Sequence, residues 1–165
     1  MSHIAKTREL RPSILDRLLD HDPQAVREPA PARHQYLSEL RQSVRRDLEN
    51  LLNSRFCMIE PPQECPEAAH SLLNYGLPDL ATVNISDAEK KQRFVQQLER
   101  ILREYEPRFK SVRVTHLENR DRSDRTLRFR IDAVLWADPA PQSVVFDSIL
   151  EPVSRSVNVK ESLHG

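Results

Sequence analysis

Ile101-Leu102-Arg103-Glu104-Tyr105-Glu106-Pro107-Arg108-Phe109-Lys110-Ser111-Val112-Arg113-Val114-Thr115 is the stretch in which the apolar period changes from helical to two. Upstream, Phe94, Leu98, Ile101, Leu102 and Tyr105 recur every three or four residues, as on the buried face of a helix. Downstream, Val112 and Val114 alternate with Arg113 and Thr115, as in a strand with one face buried. Pro107 marks the boundary: it has no N–H, fixes its own φ and drives Glu106 out of the α region, so the helix ends near Tyr105. Glu106 and Arg108 are thereby held at a rigid corner. They either cap and solvate the helix end, or pair with groups on this chain or on a partner, since a guanidinium suits bidentate pairing with a carboxylate.

Working outward, Leu127, Phe129, Ile131, Ala133 and Leu135 alternate with Arg128, Arg130 and Asp132 and form the clearest strand, reached through a hairpin loop over Glu118 to Arg125. Asp138-Pro139-Ala140-Pro141 turns the chain into a third strand from Val144 to Leu150, and a weaker fourth runs from Val153 to Val159. On the other side, Ser86 and Glu89 make a capping-box pattern that starts the helix ending at Tyr105. A second amphipathic helix spans Gln35 to Asn53, with Leu37, Leu40, Val44, Leu48 and Leu51 as its apolar stripe and Arg41, Arg45, Arg46, Asp47 and Glu49 on the solvated side. Helices first and strands later predict an α+β domain, its helices packed on one face of a mainly antiparallel four-stranded sheet.

Between the helices, Phe56 to Pro66 reads as a loop, and Pro66 opens a short helix through Leu73, with Gly76 as the left-handed residue that closes it. Leu77 precedes Pro78 and cannot be helical, so Asn74 to Leu80 forms a fixed turn displaying Tyr75 and Asp79. Those two side chains either pack the turn on the core or contact a partner. Ahead of everything, Pro12 to Leu19 forms a short helix with Ile14, Leu15, Leu18 and Leu19 on one face. A linker containing Pro23, Pro29 and Pro31 follows it. Residues 1–31 are therefore expected to be an arm and linker, and 32–165 the folded domain.

Composition narrows the function classes. Twenty-five basic and 25 acidic side chains in 165 residues give no net field toward nucleic acid or a membrane surface. No apolar run reaches the length of a membrane span, and the first 31 residues lack a signal-peptide core, so a cytoplasmic protein is expected. Gly76 and Gly165 are the only glycines, which excludes glycine-rich phosphate loops. Cys57 and Cys65 are expected to stay reduced; with His70 they match no zinc spacing and lack a fourth ligand, so neither metal nor cofactor is expected.

Taken in order, several segments resemble a known family. They are Arg11-Pro12-Ser13-Ile14-Leu15-Asp16-Arg17-Leu18, the run Ser43 to Asn53, Leu73-Asn74-Tyr75-Gly76-Leu77-Pro78-Asp79-Leu80, Glu106-Pro107-Arg108, Leu127 to Ile131, and Val145-Phe146-Asp147-Ser148. Together they are similar to the lysozyme-like baseplate wedge proteins of contractile phage tails, and within them to the TssE wedge subunits of bacterial type VI secretion systems. The resemblance implies a structural protein that assembles with TssF, TssG and TssK around the VgrG hub and contacts the sheath subunits TssB and TssC. It also implies that Glu106, Pro107 and Arg108 lie at the sheath junction. Sheet edges with unpaired N–H and C=O groups would suit strand addition by a partner, and Ile14, Leu15 and Leu18 would dock on a wedge neighbour.

The lysozyme label raises a different class, a peptidoglycan glycoside hydrolase. That chemistry needs two carboxyl groups across a cleft, one of them protonated. Glu60, Glu64, Asp79, Glu106, Asp132 and Asp147 show no spacing that singles out such a pair, and Arg108 favours the ionised form of Glu106. The reading is therefore of a non-enzymatic protein with no catalytic residues.

Overall fold

The computed structural model of the chain describes residues 15, 18, 33–56, 64, 65, 67, 68, 71–78, 88–119, 124, 126–137, 140–151, 154 and 156–162. Helix α1 is Arg33–Asn53 and helix α2 is Ala88–Tyr105, followed by strands β1 (Phe109–Leu117), β2 (Leu127–Leu135), β3 (Gln142–Glu151) and β4 (Ser156–Glu161). The strands pair antiparallel with their chain neighbours, in the order β1-β2-β3-β4. The α+β class inferred from the sequence is the one observed.

The period-two pattern works across the sheet as well as along each strand. Register stacks Val112 beside Ala133 and Val144, Val114 beside Ile131 and Phe146, and Leu127 beside Leu150 and Val157. All of these are buried, and so are Phe129 and Val159 in the remaining row. The opposite face carries Thr115, Arg130, Asp147 and Lys160 side by side, with Arg130 Nε donating to Asp147 Oδ1 at 2.8 Å. A slip of one residue in any strand would exchange these two faces, so burial of the inner rows fixes the register.

Both helices pack on the apolar face, α1 against β4 and α2 against β1. Leu40, Val44, Leu48, Leu51 and Leu52 of α1 and Phe94, Val95, Leu98, Ile101 and Leu102 of α2 are buried in the same cluster as the strand residues. Each such side chain contributes roughly 1.5–3 kcal/mol when fully removed from water, so this single core is the main source of stability.

Local details differ from the sequence reading at several places. The helix expected from Pro66 through Leu73 is replaced, among the described residues, by 3-10 turns at 67–68 and Leu72–Asn74. Ser71 accounts for the break: its hydroxyl donates to Ala68 O at 2.6 Å and accepts from Leu73 N at 3.3 Å, competing with the helical ladder. The third strand begins two residues early, at Gln142, and the fourth begins at Ser156 and continues to Glu161. Ser86 and Val153 lie outside the described residues, whereas Glu89 forms an ion pair with Arg93. The register of β1 shifts between Phe109 and Ser111, leaving Lys110 as an extra residue with its ammonium 5.2 Å from the Trp136 ring centroid.

Candidate functional site

Arg108 is the hub of the helix-to-strand corner. Its Nε donates to Glu106 Oε1 at 2.7 Å, its Nη2 donates to Glu106 Oε2, and its backbone N–H reaches Glu106 Oε1 at 3.1 Å. The same guanidinium crosses to α1, with Nη1 donating to Ser43 Oγ at 3.1 Å and Nη2 to Asp47 Oδ2 at 2.7 Å. Arg46 holds the other oxygen of Asp47 through Nε at 3.3 Å and Nη2 at 3.1 Å. The pairing left open by the sequence is therefore made within this chain.

The backbone explains why the fork points this way. Glu106 N closes the last helical bond to Leu102 O at 3.0 Å, Pro107 then has no N–H to offer, and Phe109 N folds back to Glu106 O at 3.1 Å. The result is a turn with proline at its second position, the place its fixed φ favours. Arg108 O accepts from Trp136 N at 2.9 Å, which anchors the corner to the end of β2.

Burial is uneven across the corner. Glu106 is only 4% exposed, Arg108 is half-buried and Pro107 is exposed. Burial works against the charge on Arg108, but the hydrogen bonds and fields of Glu106 and Asp47 outweigh it and raise the guanidinium pKa above its ordinary value. Both Glu106 oxygens accept hydrogen bonds from Arg108.

Tyr75 comes to the same corner. Its ring meets Tyr105 edge to face, with centroids 5.3 Å apart and planes at 81°. The Tyr105 hydroxyl donates to Ser71 O at 3.4 Å, so the 71–78 loop is tied to the end of α2. Leu72 at the head of that loop is 84% exposed, and Trp136 at the end of β2 is 36% exposed. Neither was singled out by the sequence, because nothing in a single chain marks an apolar residue as exposed.

Burial first, then the negative charges of Asp47 and Glu106, push the Tyr75 phenol above its ordinary pKa, and burial followed by Glu104 does the same for Tyr105. A phenol whose pKa is higher folded than unfolded stabilises the fold fully below about pH 10, and that contribution disappears as pH rises through the folded value. Tyr75→Phe is therefore expected to lose less thermal stability than the wild type on going from neutral to strongly alkaline pH. Phenolate absorbance during the same titration checks it, with the late component lost in the variant.

Among the expected partner-contacting residues, Glu106, Pro107, Arg108 and Tyr75 are thus brought together. Leu15 and Leu18 are helical and exposed, at 45% and 76%. Ile14 and Asp79 lie outside the described residues, as do Glu60, Cys57 and His70, whereas Cys65 is an exposed free thiol. Among the other acids considered for hydrolysis, Glu64 and Asp132 are exposed and Asp147 is paired with Arg130. No described helix is long and apolar enough to cross a membrane.

The sheet edges expected to be open are partly occupied. On β4, Asn53 Nδ2 donates to Val157 O at 2.9 Å while its Oδ1 accepts from Val157 N at 2.8 Å, and Arg45 Nη1 donates to Val159 O at 3.4 Å. On β1, Glu99 Oε2 accepts from Val114 N at 3.1 Å and Arg103 Nη2 donates to Val112 O at 3.4 Å. Packing each helix along an outer strand places its polar flank against that strand's outward row.

Comparisons with curated proteins and with solved structures gave no significant match. A protein-family model described as "Baseplate wedge protein gp25" matches residues 38–140, a span that includes the Arg108 corner and its partners on α1. That match covers more than half of the sequence, and the chain belongs to the gp25 baseplate wedge protein family.

Proposed function

We propose that this baseplate wedge protein is the wedge subunit of a type VI secretion system, a cytoplasmic scaffold that joins the wedge to the contractile sheath and helps to initiate sheath assembly. Its wedge neighbours are TssF, TssG and TssK, its sheath contacts are TssB and TssC, and it meets the VgrG hub only indirectly. The family match supports a structural role in a baseplate. The narrower assignment rests on the arm sequence Arg11 to Leu18, which precedes the matched span.

The observation that carries the docking role is the corner: Pro107 is exposed beside a half-buried Arg108 that Glu106, Ser43 and Asp47 hold rigid. A site already fixed in its bound shape loses less conformational entropy on association. Tyr75 extends the same surface, Asp79 is proposed as a partner contact from its sequence position alone, and Glu106 acts as a positioning residue for Arg108. The division into an arm over 1–31 and a wedge domain over 32–165 assigns the wedge contact to Ile14, Leu15 and Leu18. The scaffold has no enzymatic activity, a reading supported by the occupied carboxylate at Glu106.

Co-expression with the wedge and sheath proteins tests this. Removing residues 1–31 is expected to lower co-purification of the wedge subunits by about tenfold, equivalent to roughly 1.4 kcal/mol, while thermal unfolding stays cooperative. Arg108→Lys keeps the charge but loses the planar fork, and is expected to reduce sheath recruitment to assembled baseplates. Normal recruitment by that variant would remove the corner from the sheath junction, and non-cooperative melting of the truncated chain would place the arm in the core. Clearing of a cell-wall suspension by the purified protein would contradict the non-enzymatic assignment.

A further inference from the structure

An open antiparallel sheet ends in two strands whose outward N–H and C=O groups can pair with any extended chain. In this protein β1 and β4 are those strands, and their central outward groups are engaged by side chains from the helix beside each. Asn53 is the fullest substitute, since its amide both donates to and accepts from Val157, the two bonds a neighbouring strand would make. Glu99 and Arg103 divide the same task on β1, one accepting from Val114 N and the other donating to Val112 O. These two side chains also form an ion pair with each other, so the cap is held as a unit.

We propose that Asn53 and the Glu99–Arg103 pair are edge guards that keep the unassembled subunit from adding a strand of a second copy of itself. The occupant they exclude is self-complementary by geometry. A β1 edge related to its copy by a two-fold axis is antiparallel to it, so the same outward groups on both chains would face each other and pair. The apolar inner residues of the two sheets would then run on continuously, as Val112 and Val114 already do with Ala133 and Ile131. With the caps in place those groups are taken, and the charged Arg103 and Glu99 heads stand where a second chain would have to lie. The inference is independent of the secretion assignment, because it concerns this chain alone.

The test uses the full chain as wild type, Asn53→Ala, Glu99→Ala and Asn53→Ala/Glu99→Ala, with amide exchange and sedimentation velocity as readouts. In the wild type the Val114 and Val157 amides are expected to be protected although they face outward. Glu99→Ala should accelerate exchange at Val114 and leave Val157 unchanged, and Asn53→Ala should do the reverse. The double variant should show a sedimentation coefficient that rises with concentration on the order of 10 μM to 1 mM, the range in which exposed strand edges associate, where the wild type's does not. If the double variant unfolds, Glu99→Ala/Arg103→Ala opens β1 alone and leaves the apolar stripe of α2 intact, so its sedimentation decides. A folded, edge-opened variant that sediments like the wild type overturns the proposal, and so does unchanged protection of Val114 in Glu99→Ala.

Discussion

Gly76→Ala is expected to lower folding stability by about 3 kcal/mol, combining the cost of a non-glycine residue in a forbidden backbone region with that of steric overpacking. Gly76 has φ of +110°, and a Cβ built there would sit 2.6 Å from both the carbonyl carbon and oxygen of Ser54. Neither atom can move away freely. Leu77 N donates to Ser54 O at 2.9 Å, Phe56 N donates to Leu77 O at 3.2 Å, and Leu77 itself is fully buried. The alanine must either break this short parallel bridge between Arg55 and Leu77 or withdraw Leu77 from the core. Urea unfolding checks the expectation through a lower midpoint at unchanged slope. A loss below about 1 kcal/mol would mean that the loop reroutes at little cost, contrary to the usual penalty for such a clash.

Arg108→Ala is the second large effect, expected at about 2–3 kcal/mol, at or just below the lower bound of the roughly 3–5 kcal/mol for breaking a fully buried ion pair, because the guanidinium retains some contact with water. The loss comes less from the missing attraction than from what remains behind. Glu106 stays buried with the backbone N–H of residue 108 as its remaining donor at this corner, and Ser43 and Asp47 each lose a donor. Glu106→Gln keeps the shape of the side chain and leaves Arg108 with Asp47, so it should cost less. A double-mutant cycle over Glu106→Gln and Arg108→Ala should show coupling of about 1 kcal/mol or more, as for residues in one hydrogen-bonded network. Additive losses in thermal or urea unfolding would mean that the corner is not an energetic unit.

The parts of this fold that were legible are those governed by local rules. Pro107 ends α2 after Tyr105, as its missing N–H requires, and the alternating residues of Leu127–Leu135 fall on opposite faces as written. Gly76 was recognisable as a left-handed residue from its place closing the segment Pro66 to Leu73, but its contact with Ser54 was not, because close approach between distant segments leaves no trace in composition. The Arg108 corner was half legible. Glu106 lies two positions away and was an evident candidate, whereas Asp47 and Ser43 lie 61 and 65 positions away on another helix. Their four-residue spacing places them on one helix face, with each directly preceding a residue of the apolar stripe, Val44 and Leu48, which is the signal that could have flagged them. The edge caps were missed for a related reason: Asn53 and Glu99 look like ordinary solvated residues until each helix is set beside a particular strand.

Because α1 rests on β4, this early helix gains part of its support only when the last described strand exists; Asn53 and Val157 are 104 positions apart. During synthesis α1 can join α2 and the Arg108 corner before β4 emerges, but the part of its apolar stripe that β4 covers stays open until then. A nascent chain stalled before Ser156 would therefore leave that part of the stripe exposed and more prone to aggregate.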